Sequence, residues 1–84
     1  MPSTFKDPVS EIKIAAKNST LVSISYLDSK GNFSERLVEP YEIKNGSLFA
    51  YCTEKESIRN FKLAKINSAY RSTIKFNPRW TINI

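Results

Sequence analysis

The side chains in this sequence best suited to chemistry are cations. From Lys55 onward there are seven basic residues (Lys55, Arg59, Lys62, Lys65, Arg71, Lys75 and Arg79) against one acid, Glu56, a local charge of +6. Up to Glu54, six basic residues are outweighed by seven acidic ones, so the C-terminal part carries the whole of the net +5. A one-signed field of this kind draws in polyanions and speeds their encounter. Nucleophiles and metal ligands, by contrast, are scarce. There is no histidine, and Cys52 is the only cysteine. That removes Ser-His and Cys-His pairs, intrachain disulfides and nitrogen–sulfur metal sites. The eight acids lie scattered near turns or along strands and supply no acid–base pair. These residues point to a binding protein rather than an enzyme, with no cofactor and no metal.

The elements that must position the cations follow from apolar spacing. Asp7-Pro8 before Val9, Ile12 and Ala16 reads as the start of a helix over about residues 8–17. An acceptor side chain caps it, a proline sits in its first turn, and its apolar residues recur every three or four positions, with Asn18 as the stop. After Thr20 the period becomes two. Val22, Ile24 and Tyr26 face one way and Ser23 and Ser25 the other, as in a half-buried strand. Asp28 to Asn32 has turn chemistry, and a strand from Phe33 to Val38 is checked at Pro40, which suits an edge or a strand end. Tyr41 to Lys44 is extended again.

Asn45-Gly46 is the strongest hairpin signal, because both central positions of the commonest two-residue turn need positive φ. Strands over Ser47 to Thr53 and Ile58 to Leu63, a tight helical turn at Leu63 to Ile66 and a last strand from Asn67 to Lys75 complete the pattern. The spacing predicts a mostly β protein, an antiparallel curled sheet or small barrel of short strands with one N-terminal helix capping an open end.

Ile24-Ser25-Tyr26, Arg36-Leu37-Val38-Glu39-Pro40, Leu48-Phe49-Ala50-Tyr51-Cys52 and Arg59 through Ile66 stand in the order and spacing of WYL domains, which the chain resembles over roughly Val9 to Pro78. The resemblance implies a five-stranded Sm-like or SH3-like barrel that binds nucleic acid or nucleotide-like ligands, commonly attached in bacterial regulators to a winged-helix or helix-turn-helix segment. Nineteen residues before the first strand are too few for such a segment, so any regulation is expected to be exerted alone or through a partner. The tripeptide that names the family aligns with Gly46-Ser47-Leu48, where two aromatics are missing. The Asp-Arg pair expected before Ile66 reads Ala64-Lys65, which keeps a charge but loses the forked guanidinium.

Arg36 and Arg59 match the family arginines tied to anion binding, and their planar donors suit phosphate oxygens. The alternative for each is structural, including pairing with Glu35, Glu39 or Glu42. Arg59 shares a strand face with Phe61 and Leu63 and belongs at a rim with its stem packed. Lys65 and Lys62 extend the cationic surface, and with Arg71, Lys75 and Arg79 they form either a strip along a phosphate backbone or a solvated strand face. Tyr51 is a stacking face for a base or a core residue; Tyr26 is read as core, with Ile24, Val38, Phe61 and Leu63. Cys52 alternates with Leu48 and Ala50 and is read as a small buried residue.

Trp80-Thr81-Ile82-Asn83-Ile84 alternates apolar and polar residues after Pro78. It is read as a docking strand for its own barrel, for a neighbouring copy or for a larger protein, with self-association through Trp80, Ile82 and Ile84 as the working expectation. Eighty-four residues suit one domain, taken as 1–79 with 80–84 as a tail. No apolar run nears the roughly 20 residues of a membrane span, and Met1 to Asp7 lacks the apolar stretch of a secretory signal, so a cytoplasmic protein without a membrane partner is expected. The expected function is a non-catalytic regulatory module for nucleic acid, single-stranded in particular, or for an anionic nucleotide-like ligand. The alternative is a structural or protein-interaction domain that self-associates or docks to a larger protein.

Overall fold

The change of apolar spacing after Asn18 divides the chain into one helix and one sheet. The computed structural model describes residues 7–84. Helix α1 (Pro8–Asn18) is followed by β1 (Thr20–Leu27), β2 (Phe33–Lys44), β3 (Ser47–Cys52), β4 (Ser57–Lys62), a 3-10 turn (Leu63–Lys65) and β5 (Ile66–Lys75). Asp7 caps α1 as its sequence position predicts, accepting from the Val9 N–H at 3.3 Å. The left-handed stop falls on Ser19 (φ 54°) rather than Asn18. Ser19 directly precedes the first strand residue, and its N–H closes the helix on the carbonyls of Ala15 and Ala16.

The sheet is antiparallel with strand order β4-β3-β2-β1-β5. Asn45 (φ 52°) and Gly46 (φ 74°) both take the positive φ that the β2–β3 hairpin needs. The β1–β2 turn is tied by Asp28, whose Oδ1 accepts from the N–H groups of Lys30 and Asn32 at 2.8 and 2.9 Å.

Strand β2 is the long element, a single 12-residue strand where two extended pieces were expected. Its first half pairs with β1 from Phe33 to Val38, and its second half pairs with β3 from Val38 to Lys44. Pro40 therefore sits beyond the β1 ladder and before the bridge that Asn83 makes to Glu42, where a missing N–H is tolerated. The register shifts between Pro40 and Glu42, and this bulge lets one strand serve both halves of a curled sheet.

Residues opposite one another in a ladder point to the same face. The inner face follows: Val22 and Ile24 of β1, Val38 of β2, Leu48, Ala50 and Cys52 of β3, and Phe61 of β4, all buried as one core with Ile66, Ala69 and, from the helix, Ile12 and Ala15. Helix α1 packs on β5, β1 and β2 and so covers part of that face, rather than capping the open end of a barrel. Leu63 packs at the margin of the core and Cys52 is fully buried.

The expected barrel does not close. Among the described residues no ladder joins β4 to β5, and the sheet remains open. The three-residue turn after β4 sends the chain across to β1, where β5 finds its pairing. Tyr26 fills the gap instead: its ring meets Phe61 edge-on at 5.1 Å, and its hydroxyl accepts the backbone N–H of Lys62, on edge strand β4, at 3.2 Å. Tyr26 is thus a margin residue, half-buried against the core with its polar tip engaged.

Two residues of β4 test this account of the packing. Phe61→Ala removes the apolar group that meets Tyr26 and is expected to cost about 3–5 kcal/mol in a denaturant titration. Ile58→Ala, on the outer side of the same strand and 47% exposed, should stay within about 0.5 kcal/mol of the parent.

Candidate anion-binding face

Three arginines stand on the inner face that the core otherwise occupies; Arg71, opposite Val22, lies on edge strand β5 beside α1, and the other two lie on β2 and β4. Arg36 is opposite Ile24, and Arg59 is opposite Ala50. Both partners are fully buried, so both arginine stems leave the sheet on the core side, at its margins. Arg36 is half-buried and donates through Nε to Ser34 Oγ at 3.3 Å; Arg59 is exposed. The single ion pair among the described residues belongs to neither, so the pairings with Glu35, Glu39 or Glu42 that would have made them structural do not form.

The register sets their separation. Arg36 lies one same-face position from Val38, which stands opposite Cys52 and then Ser57, and Arg59 lies one same-face position from Ser57 on the other side. On a flat sheet this is roughly 13 Å along the strands and 10 Å across them, about 16 Å in all, and curvature shortens the span on the inner side. A single phosphate does not bridge that distance. A strand bearing one phosphate about every 3.4 Å does so within a few nucleotides.

The closing turn lies beside Arg36. Lys62 and Lys65 flank the segment whose backbone bonds Tyr26, and Tyr26 stands opposite Ser34, one same-face position from Arg36. Lys62 is exposed and Lys65 half-buried. The Lys62 backbone thus meets Tyr26, but its side chain, opposite Ser47 and alternating with Phe61, leaves toward the outer face, so Arg36 and Arg59 share the inner face without it. The longer strip loses Arg79. Arg71 and Lys75 lie on β5, where the Arg71 N–H donates to Glu11 of α1 at 3.3 Å, and Arg79 is drawn to the other face.

Tyr51 does not join Arg36 and Arg59. It alternates with Ala50 and Cys52, stands opposite Glu39 and Ile58, and so faces outward. There it receives the tail. The Arg79 guanidinium sits 4.0 Å above the Tyr51 ring and donates through Nε to Glu39 Oε1 at 3.2 Å. Trp80 meets Tyr41 edge-on at 5.2 Å, and the Asn83 N–H donates to the Tyr41 carbonyl at 2.8 Å. Ile84 packs against the core, while Ile82 is half-buried and Trp80 half-exposed. Of the three destinations open to the Trp80 segment, the structure realises its own sheet.

This outer cluster was not legible as a unit. Glu39 and Tyr41 were read as strand residues and Arg79 as one cation of a strip. The signal available was the Glu39-Pro40-Tyr41 sequence, in which a proline-associated bulge turns a carboxylate and a phenol toward the same cluster. The Tyr41 hydroxyl donates to Glu39 Oε1 at 2.6 Å and accepts the Arg79 N–H at 2.9 Å. Burial pushes the Tyr41 phenol up to about 12, the Glu39 carboxylate adds to the rise, and the Arg79 N–H opposes it. Desolvation disfavours the charged form of Arg79, but the hydrogen bond and charge of Glu39 outweigh it and hold the guanidinium charged.

The phenol provides a test of the outer cluster. Its pKa in the folded chain lies above the ordinary value of about 10, so its contribution is intact below that pH and is lost as the pH rises through about 12. Denaturant titrations across this window should show wild-type stability falling by roughly 2–3 kcal/mol more than that of Tyr41→Phe. Parallel curves for the two proteins would contradict the assignment.

Comparison with known proteins supports the fold and the family. No curated protein matches the chain. Among solved structures it is similar to proteasome accessory factor B/C (PafBC) of Arthrobacter aurescens, with a TM-score of 0.70 and 22% identity over 80% of this chain. The match spans 11% of that protein's length, so the likeness is one of fold. The family model for the WYL domain matches residues 8–71, from the first residue of α1 into β5. This chain belongs to the WYL domain family.

Proposed function

We propose that this WYL domain is a non-catalytic regulatory module that recognises an extended anionic ligand, single-stranded nucleic acid before a free nucleotide, across the inner-face margin of Arg36 and Arg59, with Lys62 and Lys65 beside it at the closing turn. One observation carries the reading: the guanidinium groups of Arg36 and Arg59, like that of Arg71 on β5, emerge on the core side of the sheet without a carboxylate partner among the described residues, whereas Arg79 is paired with Glu39. Leaving a charge-bearing fork free at the edge of a core favours a ligand that supplies the missing acceptors. The span between the two arginines favours several phosphates in a row over one. Tyr26, rather than Tyr51, is the aromatic edge nearest the cations, and stacking of a base on it would add to the phosphate contacts. The similarity to a structure of proteasome accessory factor B/C accords with a regulatory setting.

A second reading rests on a different observation. On the outer face, exposed Leu37 and Tyr70 flank Ser23 in one row across β2, β1 and β5. An apolar row of this kind suits a protein contact, and the domain would then be a structural or interaction element.

Fluorescence anisotropy with labelled single strands, duplexes and mononucleotides separates the two. We expect single strands to bind most tightly, with affinity falling as salt rises, and the Arg36→Ala/Arg59→Ala double variant to weaken binding. Each removed phosphate contact should reduce the slope of log K against log salt by about 0.7. Indifference to all three probes at low salt, or an unchanged slope in the double variant, would overturn the anion-binding reading in favour of the interaction element.

A further inference from the structure

On the outer face the β2–β3 ladder places a carboxylate opposite an aromatic ring twice. Glu39 stands opposite Tyr51, and Glu42 stands opposite Phe49. The first pair shows what such a combination holds: the Arg79 guanidinium lies 4.0 Å above the Tyr51 ring and reaches Glu39 Oε1 at 3.2 Å. A cation placed there gains from the negative face of the ring and from the carboxylate charge together.

The second pair is built into a groove. Glu42 and Phe49 line it with Tyr41, Ile58, Trp80 and Thr81, around a volume of about 480 Å3. The buried Tyr41 ring meets Trp80 edge-on and holds the indole as one wall, while Ile58 of edge strand β4 supplies aliphatic surface. Glu42 is half-buried, and the single ion pair among the described residues does not involve it. Lys44, one same-face position along β2, is exposed and forms no ion pair with this carboxylate. The volume is that of a site for a small molecule rather than for one side chain. Its lining is mostly aromatic or aliphatic, and its one charged group is an acid. An anion would be repelled by that carboxylate, and a neutral molecule would leave its charge unused.

We propose that this groove is a binding site for a small organic monocation, a protonated amine on an apolar body, with the ammonium group at Glu42 and the body against Phe49, Ile58 and Trp80. The site lies on the opposite face of the sheet from Arg36 and Arg59 and takes a ligand of the opposite charge. It therefore stands apart from the anion-binding reading.

Trp80 is the only tryptophan of the chain, so its emission reports on the groove directly. Titration of the full chain at neutral pH with phenethylamine should change that emission along a saturable curve. Phenethyl alcohol, with the same body and no charge, and the anion hydrocinnamate should each bind at least about tenfold more weakly. Glu42→Gln, with its fold checked by circular dichroism, should weaken the amine by about tenfold and leave the alcohol unchanged. Arg36→Ala/Arg59→Ala should bind the amine as the parent does, even where it no longer binds an oligonucleotide. Equal affinity for the three compounds, or no saturable response to the amine, would overturn the proposal. Undiminished amine binding by a folded Glu42→Gln would overturn it as well. Should that variant not fold, the three compounds compared on the unaltered chain decide the matter alone.

Discussion

The structure depends on the way β2 changes partner. One strand must complete a ladder with β1 in its first half and with β3 in its second, and a straight strand cannot do both in a small curled sheet. The bulge between Pro40 and Glu42 meets this requirement just beyond the β1 ladder, so proline is tolerated there. Around this bend the two faces acquire different tasks. Val38 contributes to the core and Arg36 rises at its margin, while Glu39 and Tyr41 turn toward the tail. The tail in turn grips the bend, through the Asn83 N–H on the Tyr41 carbonyl and the Arg79 N–H on the Tyr41 hydroxyl.

The same division separates the cations by role. Arg79 has a buried carboxylate, an aromatic face and a phenol in reach, and is held as part of the fold. Arg36 and Arg59 have apolar partners across their ladders, and no acid among the described residues forms an ion pair with either. A sequence-level charge count treats all three alike. Their difference arises from strand parity and from which ladder each residue enters, and that difference is what turns a basic composition into a candidate binding face.

Much of the fold was legible because its signals are local. Asp7-Pro8 fixes the helix start, alternation from Val22 to Tyr26 fixes β1 and its buried side, and Asn45-Gly46 fixes a hairpin whose positive φ values follow from the residue types. Arg36 and Arg59 could be singled out by family spacing, and the register then put both on the core side. What remained hidden depends on long-range geometry. Tyr51 was expected beside the arginines, but the parity of β3 turns it outward, and Arg79 was expected in a strip, but a carboxylate forty positions earlier captures it. The open sheet was hidden for the same reason. Closure depends on whether β5 finds β4 or β1 after a three-residue turn, and no residue between Leu63 and Lys65 encodes that choice.

The central claim is that Arg36 and Arg59 serve one ligand from a shared face, with Arg79 apart from it. Side-chain Nε–Hε resonances of the arginines, followed by NMR during titration with a short single-stranded oligonucleotide, examine this residue by residue. The account predicts that the Arg36 and Arg59 signals move along a common saturation curve while Arg79 stays still. Movement confined to Arg79, or separate curves for Arg36 and Arg59, would contradict it.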